Sequence, residues 1–158
     1  MVNLKWCFKQ GNGLRMVEPS KRLASDYLKM SENSLGTMNR EKGKNDVFSI
    51  SAGYYSIYYS LYSIMQKIGI KCEIHSCSIK FMKKFLKEFY TKEDIILIEI
   101  AFSARNLLQY YVDKSVNKNE LLLIWKNAYD FFVKSREISY KLNDIKINKI
   151  RGLINEYR

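Results

Sequence analysis

The scarcity of residues that interrupt regular structure is the strongest constraint on how this chain can fold. The sequence has 158 residues, of which one is proline and seven are glycine. A β-sandwich or β-barrel needs turn residues about every 8–12 positions, and this chain does not supply them. We therefore expect a few long elements, in a chain of the size that forms one domain around one hydrophobic core.

A long uncharged segment occupies the middle of the sequence. Twenty residues separate Asp46 from Lys67 without a charged side chain, which is enough to cross a bilayer. Five of them are tyrosines and several are serines, and these hydroxyl groups make insertion into lipid unfavourable. We therefore expect this segment to form the buried central helix of a soluble bundle, without a membrane partner.

Apolar spacing and capping residues divide most of the chain into helices. Apolar residues recur three and four positions apart, as on one face of a helix, over about 20–40, 47–68, 74–89 and 92–112, and again from about 119. Ser20 and Asp46 are predicted to cap the first two helices, and Gly69 is predicted to end the second. Thr91 and Asp94 match a capping box that opens the fourth.

The two ends of the chain differ from this pattern. Residues 1–19 lack sustained periodicity and are predicted to be an irregular leader before a single helical domain over residues 20–158. The apolar stripe changes phase near Asn143 and Asp144, which predicts a kink or a separate short helix within a C-terminal helical extension over 137–158. The predicted fold class is all-α, an antiparallel bundle of four to five long helices with short connections.

The chain is strongly basic and contains few cysteines. A net charge of +11 favours a polyanionic partner, either nucleic acid or an anionic membrane surface. A lysine-rich solvated surface is the alternative explanation. The three cysteines, Cys7, Cys72 and Cys77, are odd in number and lack the spacing of a disulfide framework. This pattern suits a reducing cytoplasm, which is the expected compartment.

The fourth predicted helix has an unusual polar face. It carries Arg105, Asn106, Gln109 and Tyr110, where a solvated helix face usually carries Lys and Glu. These side chains form directed hydrogen bonds, so the face is predicted to line a cleft or an interface, with an ordinary polar face as the alternative. The opposite face is predicted to enter the core through Leu97, Ile100, Ala101, Ala104, Leu107, Leu108 and Tyr111.

Two further groups of residues have both a structural and a functional interpretation. Tyrosines at positions 54, 55, 58, 59 and 62 form two lines on the second helix. They are candidate stacking platforms for bases, although a core role is favoured. A buried structural role is also favoured for His75, the only histidine. Cys72, His75 and Cys77 lack a fourth ligand and the paired spacing of zinc sites, so neither a metal nor a cofactor is predicted.

Six stretches of the sequence follow one another in a recognisable order. They are residues 22–35, 54–61, 69–71, 74–76, 104–111 and 128–133. Together they resemble the HEPN domain family (higher eukaryote and prokaryote nucleotide-binding), in its small stand-alone archaeal and bacterial branch, over about residues 15–140. The resemblance implies an all-α bundle that forms a homodimer with a polar cleft at the two-fold axis.

The resemblance also implies a set of site residues. Many members of this family are metal-independent ribonucleases that use an arginine, often followed by asparagine, with a histidine about a turn later. Arg105 and Asn106 match that start, while Tyr110 occupies the histidine position. Tyrosine is a poor general base at neutral pH, because the reference pKa of its side chain is about 10. The implied catalytic positions are Arg105, Asn106 and Tyr110. The implied RNA- or nucleotide-binding positions are Arg105, Asn106, Gln109, Tyr110, Lys80, Lys83 and Lys84.

Three functions follow as alternatives. The first is a HEPN-type RNA- or nucleotide-binding protein that works with a nucleotidyltransferase partner in a toxin–antitoxin-like or defence system. The second is a metal-independent endoribonuclease in which Arg105 stabilises the scissile phosphate and Tyr110 or His75 transfers the proton. The third is a helical dimerisation or interaction module without ligand chemistry.

Overall fold

Seven helices and two very short strands make up the described part of the chain, residues 3–158 of the computed structural model. The elements in chain order are α1 (Leu4–Lys9), β1 (Arg15–Met16), α2 (Lys21–Glu41), α3 (Asp46–Ile68), β2 (Ile70–Lys71), α4 (His75–Phe85), α5 (Lys92–Tyr110), α6 (Lys118–Lys141) and α7 (Asp144–Tyr157). The predicted all-α class is confirmed, and the helices pack as a bundle.

Helix α3 is the centre of the bundle, as its uncharged sequence predicts. Helices α2, α5 and α6 all pack against it, and its aliphatic residues beyond the first turn include the fully buried Ile50, Ile57, Leu61 and Ile64. A helix that is apolar on most sides has to be surrounded by other helices to be stable in water. Within residues 3–158, no helix is long and apolar enough to cross a membrane.

Buried serines join α2 to α3. The Ser31 hydroxyl of α2 donates to the Ser56 carbonyl of α3 at 2.8 Å, and it also lies 2.8 Å from the Ser60 hydroxyl. All three side chains are fully buried. Their small size lets the two helices approach closely, and the hydrogen bonds satisfy polar groups that are cut off from water.

The local signals for helix ends were mostly correct. The Ser20 side chain accepts a hydrogen bond from the Leu23 backbone, and the Thr91 capping box is present. Gly69 ends α3 with a φ of 84°, a left-handed conformation that favours glycine. A Cβ atom at this position would also lie 2.4 Å from the Val17 carbonyl oxygen, so the turn is closed to larger residues.

Two predicted helix boundaries were wrong. Asn45, rather than Asp46, caps α3, because its side chain accepts a hydrogen bond from the Phe48 backbone. Helix α4 ends at Phe85 instead of continuing to about 89. The chain turns there and buries Leu86 and Tyr90, so the apolar spacing continues after the helix has ended.

The N-terminal leader is more ordered than its sequence predicts. It contains α1, and β1 pairs antiparallel with β2, with Arg15 opposite Lys71. A disulfide joins Cys7 of α1 to Cys77 of α4, with 5.6 Å between the two Cα atoms. The odd cysteine count gave no sign of this bond, and strands of two residues are too short to show an alternating pattern.

The phase change near residue 143 marks a separate helix. Helix α6 ends at Lys141, and the Asn143 side chain caps α7. The helix break therefore lies inside the predicted extension, whose first residues belong to α6. Arg151 of α7 donates hydrogen bonds to the backbone carbonyls of Val17, Ile68 and Gly69, which fastens α7 to the leader and to the end of α3.

Candidate functional site

Polar and aromatic side chains from three helices meet where α4 and α5 pack beside α3. We call this group the Arg105 cluster; it consists of Tyr54, Tyr55, His75, Arg105 and Asn106. Helix α3 supplies the tyrosines, α4 begins at His75, and the C-terminal half of α5 supplies Arg105 and Asn106.

Arg105 is held by neutral partners only. Its guanidinium donates one hydrogen bond to the Tyr55 hydroxyl at 2.9 Å and one to the Asn106 side-chain oxygen at 2.8 Å. The guanidinium carbon lies 5.5 Å from the centre of the Tyr55 ring and 5.8 Å from that of Tyr110. No carboxylate within residues 3–158 forms an ion pair with Arg105, so its positive charge is not neutralised inside this part of the protein.

The Nε–H group of the guanidinium adds to this imbalance. The Nε atom of Arg105 is buried and has no hydrogen-bond partner within the described residues. A buried donor without a partner is costly, more so when it belongs to a charged group. Guanidinium groups prefer planar, doubly hydrogen-bonded contacts with carboxylates or phosphates. The surroundings of Arg105 therefore suit an anionic ligand.

His75 and Arg105 share two aromatic neighbours, Tyr54 and Tyr55, although thirty positions separate them in sequence. Its ring stacks on Tyr58 with 4.0 Å between ring centres, and its Nδ1 atom lies 2.6 Å from the Tyr54 hydroxyl. The rings of Tyr54 and Tyr55 both lie within 6.3 Å of the His75 ring, and both also face the Arg105 guanidinium. The structure thus places the single histidine and the arginine selected from the sequence around the same two tyrosine rings.

The protonation states in the cluster follow from burial and from charge. Burial lowers the pKa of His75, and the nearby Arg105 charge lowers it further. Burial raises the pKa of Tyr54 far above its ordinary value, with the neighbouring Tyr58 adding to the increase. At neutral pH, His75 and Tyr54 are therefore both uncharged, and Arg105 supplies the positive charge of the cluster.

The lowered pKa of His75 predicts a loss of stability in mild acid. Above its unfolded-state pKa of about 6.5, histidine is neutral in both states and costs nothing. As the pH falls below that value, the unfolded chain takes up a proton more readily than the folded one, so the free energy of unfolding decreases. Urea unfolding between about pH 7 and 5 should show this slope in the wild type and less of it in His75→Gln.

The same prediction can be checked on the ring itself. Because the chain has one histidine, its imidazole gives a single titrating signal in proton NMR. We expect its midpoint to lie below the value of the urea-unfolded chain. A folded-state midpoint equal to or above the unfolded one would contradict the environment described for His75.

The other positions predicted on α5 lie close to the cluster but differ in exposure. The Gln109 side-chain amide donates to the Ser51 hydroxyl of α3 at 3.0 Å, so this N–H group already has a partner inside the protein. Tyr110 is 69% exposed and borders Arg105. Tyr111, predicted to enter the core, is half-exposed because α5 ends one residue before it.

The three candidate lysines of α4 separate in the structure. Lys80 lines a groove of about 170 Å³ together with Glu99, Phe102 and Ser103 of α5. Lys83 forms an ion pair with Glu99, and Lys84 packs over the Tyr157 ring of α7 at 5.0 Å. Lys80 is therefore the only one of the three without such a partner among the described contacts, and its groove includes Ser103, two positions before Arg105 on α5.

Sequence reasoning missed part of the cluster. It favoured a core role for all five tyrosines of α3, and Tyr54, Tyr58 and Tyr62 are indeed buried. Tyr55 and Tyr59 are only partly buried, and Tyr55 holds Arg105. The two lines of tyrosines were visible in the sequence, but nothing in it showed which line faced outward.

Comparison with known proteins adds no assignment. No protein-family model matches the chain, and no curated protein matches it. Within residues 3–158, no group of three or more potential metal-ligating side chains comes together, and Cys77 is bound in the disulfide.

Proposed function

We propose that the protein binds RNA or nucleotides through the Arg105 cluster. The observation that carries this proposal is the partly buried Arg105 guanidinium, which has hydroxyl and amide partners but no carboxylate within residues 3–158. A phosphate group supplies the missing negative charge and matches the hydrogen-bonding geometry of arginine. Asn106 beside it can hydrogen-bond to a base or to a ribose hydroxyl.

The overall charge supports the same class of ligand. The chain carries a net charge of +11, which attracts a polyanion over a distance and raises its rate of association. Lys80 adds a positive charge near the cluster. The site thus combines long-range attraction with one arginine placed for close contact.

The wider biological proposal depends on the resemblance to the HEPN family. We propose a HEPN-type homodimer whose two Arg105 clusters face a shared cleft. It works with a nucleotidyltransferase partner in a toxin–antitoxin-like or defence system. The reducing cytoplasm expected from the cysteines is not carried into this proposal, because Cys7 and Cys77 form a disulfide. Two copies of Arg105 at one cleft double the local positive field. The all-α bundle and the position of Arg105 on α5 are compatible with this arrangement.

Salt dependence is the direct test of the proposal. We expect a fluorescein-labelled single-stranded RNA to bind in a fluorescence anisotropy titration, with an affinity that falls steeply and linearly on a logarithmic scale as salt increases. ATP and AMP should compete for the same site if a nucleotide is sufficient. A protein that binds neither RNA nor nucleotides at low salt would favour the third alternative, an interaction module without ligand chemistry.

A second candidate function, metal-independent endoribonuclease, is supported by the position of His75. The sequence motif places Tyr110 where the family has histidine, but His75 of α4 lies against Tyr54 and Tyr55, the same two tyrosines that Arg105 of α5 faces. A neutral imidazole with a lowered pKa accepts a proton more readily at neutral pH than a tyrosine does. In this reaction Nε2 of His75, whose Nδ1 is held by the Tyr54 hydroxyl, takes the proton of the ribose 2′-hydroxyl, and the 2′-oxygen forms a bond to the adjacent phosphorus. The bond from phosphorus to the 5′-oxygen breaks, and that oxygen leaves as a hydroxyl group after taking a proton from solvent water. The products are a 2′,3′-cyclic phosphate and a free 5′-hydroxyl end, and Arg105 stabilises the charge on the phosphate oxygens.

A cleavage assay separates the two functions. If the protein is an endoribonuclease, end-labelled RNA incubated in EDTA should be cut by the wild type and at least about 100-fold more slowly by His75→Ala. Tyr110→Phe should keep most of the activity, because Tyr110 is exposed and not required as a base. Intact RNA after long incubation with the wild type would exclude cleavage and leave binding as the function.

A further inference from the structure

The tyrosines of α3 form two lines with different surroundings. The first line, Tyr54, Tyr58 and Tyr62, is buried. Each hydroxyl in this line has a partner inside the protein: His75 Nδ1 at 2.6 Å, the Ser78 hydroxyl at 3.2 Å and the Cys72 backbone N–H at 3.1 Å, respectively. These contacts account for the buried line as part of the core.

The second line is partly buried and leads away from Arg105. We call Tyr55, Tyr59 and Tyr27 the tyrosine row. The rings of Tyr55 and Tyr59 stack with 5.4 Å between centres and 28° between planes. Tyr27 of α2 continues the row at 5.9 Å from Tyr59. Arg105 stands at its other end, 5.5 Å from the Tyr55 ring, so guanidinium and rings follow one another at nearly equal steps.

Packing against the core accounts for the tyrosine row only in part, because its three rings lie at the edge of the core and are partly buried. The Tyr59 hydroxyl has no hydrogen-bond partner in the described part of the chain, and the ring is only partly buried. The carboxylate that precedes Tyr27 in the sequence is neutralised, because Asp26 forms ion pairs with Arg22 at 3.3 Å and with Lys29 at 4.0 Å. Asp26 is therefore not an unpaired carboxylate that would repel a negatively charged strand beside Tyr27.

We propose that the tyrosine row stacks the bases of single-stranded nucleic acid whose phosphate is held by Arg105. The proposal rests on the proposed function, because it takes Arg105 as the phosphate contact and adds where the adjoining bases lie. A nucleotide unit offers an anion next to an aromatic face, and this surface offers a guanidinium next to aromatic rings. Stacking tolerates any base, since every base has a π-face.

The tyrosine row also favours single-stranded over double-stranded nucleic acid. Bases in a duplex are stacked on one another and cannot reach tyrosine rings without being unpaired, which costs energy. Unpaired bases have free faces. Because Tyr55 and Tyr59 belong to the central helix α3, their spacing is fixed before the ligand arrives, and little ordering is needed on binding.

The test uses substitutions at Tyr59, which does not contact Arg105. The probe is a short fluorescein-labelled oligouridylate, compared with the same strand annealed to its complement. We expect Tyr59→Leu to weaken binding of the single strand about tenfold. Tyr59→Trp, which keeps an aromatic ring, should bind as tightly as the wild type or more so. Tyr129→Leu on α6 is the matched control, since Tyr129 is 59% exposed, and it should leave the affinity unchanged.

The outcomes distinguish failure of this inference from failure of the proposed function. If Tyr59→Leu binds like the wild type while Arg105→Ala is weakened, the row has no part in binding and the inference is overturned alone. Equal affinity for duplex and single strand overturns it as well. If light scattering shows that Tyr59→Leu dissociates a dimer without changing RNA affinity, the row is a self-association surface instead. If the wild type binds no nucleic acid, both proposals fail.

Discussion

Replacing Arg105 by alanine is expected to weaken RNA binding by about 10–100-fold. A hydrogen bond to a charged group contributes about 1.5–3 kcal/mol, which corresponds to roughly this loss of affinity. Arg105 has no carboxylate partner within residues 3–158, so a phosphate does not have to displace one in order to bind. Arg105→Lys should lose about tenfold, because an ammonium keeps the charge but cannot form the forked contact. Anisotropy titrations at one fixed salt concentration measure both effects.

Arg136→Ala is the matched control for this prediction. Arg136 is exposed on α6, where its guanidinium lies over the Phe132 ring at 5.4 Å. Both substitutions remove one positive charge, so long-range attraction falls equally, and the difference between them reports the local contact. An affinity loss of the same size in Arg136→Ala and Arg105→Ala would mean that RNA meets a diffuse basic surface and not the Arg105 cluster.

Reducing the Cys7–Cys77 disulfide is expected to lower the free energy of unfolding by about 4 kcal/mol. The bond closes a loop of 70 residues, and a crosslink over such a loop restricts the unfolded chain by roughly that amount in the chain-entropy model. For a protein of this size the melting temperature should fall by about 10–15 °C. Urea unfolding with and without a phosphine reductant measures the change.

The double variant Cys7→Ser with Cys77→Ser is the control for the reductant. It should be destabilised to a similar extent, and adding reductant to it should have no further effect. Alkylation of the denatured, unreduced wild type should label one thiol, Cys72, the cysteine left free in the structure. Unfolding curves that coincide with and without reductant would contradict the predicted contribution of the bond.

Features that depend on neighbouring residues could be predicted from the sequence. Ser20, Thr91 and Gly69 act within one turn of their own position, and each marks the helix end that it was predicted to mark. The burial of α3 was also predictable, because a long uncharged helix is stable in water only when other helices surround it. Asn45 caps α3 where Asp46 was predicted to do so. Both residue types are good N-caps, and the sequence alone does not show which of the two has the extended backbone of a cap residue.

Features that join distant parts of the chain could not be predicted. Nothing near Cys7 indicates that Cys77 lies 5.6 Å away, and the pairing of β1 with β2 involves two residues on each side. The candidate site shows the same limit. Arg105 was selected from the polar face of its own helix, whereas the position of His75 beside it depends on how α4 packs against α3 and α5.

The buried serines between α2 and α3 fix the register of the two helices. Helices packed only through aliphatic side chains can slide along each other with a modest change in energy. Here a shift would leave the Ser31 hydroxyl buried without a partner, at a cost of about 1–3 kcal/mol. Ser31 lies one turn from Tyr27, and Ser60 follows Tyr59, so the same hydrogen bonds that hold the helices in register also determine which tyrosine of α2 meets which tyrosine of α3.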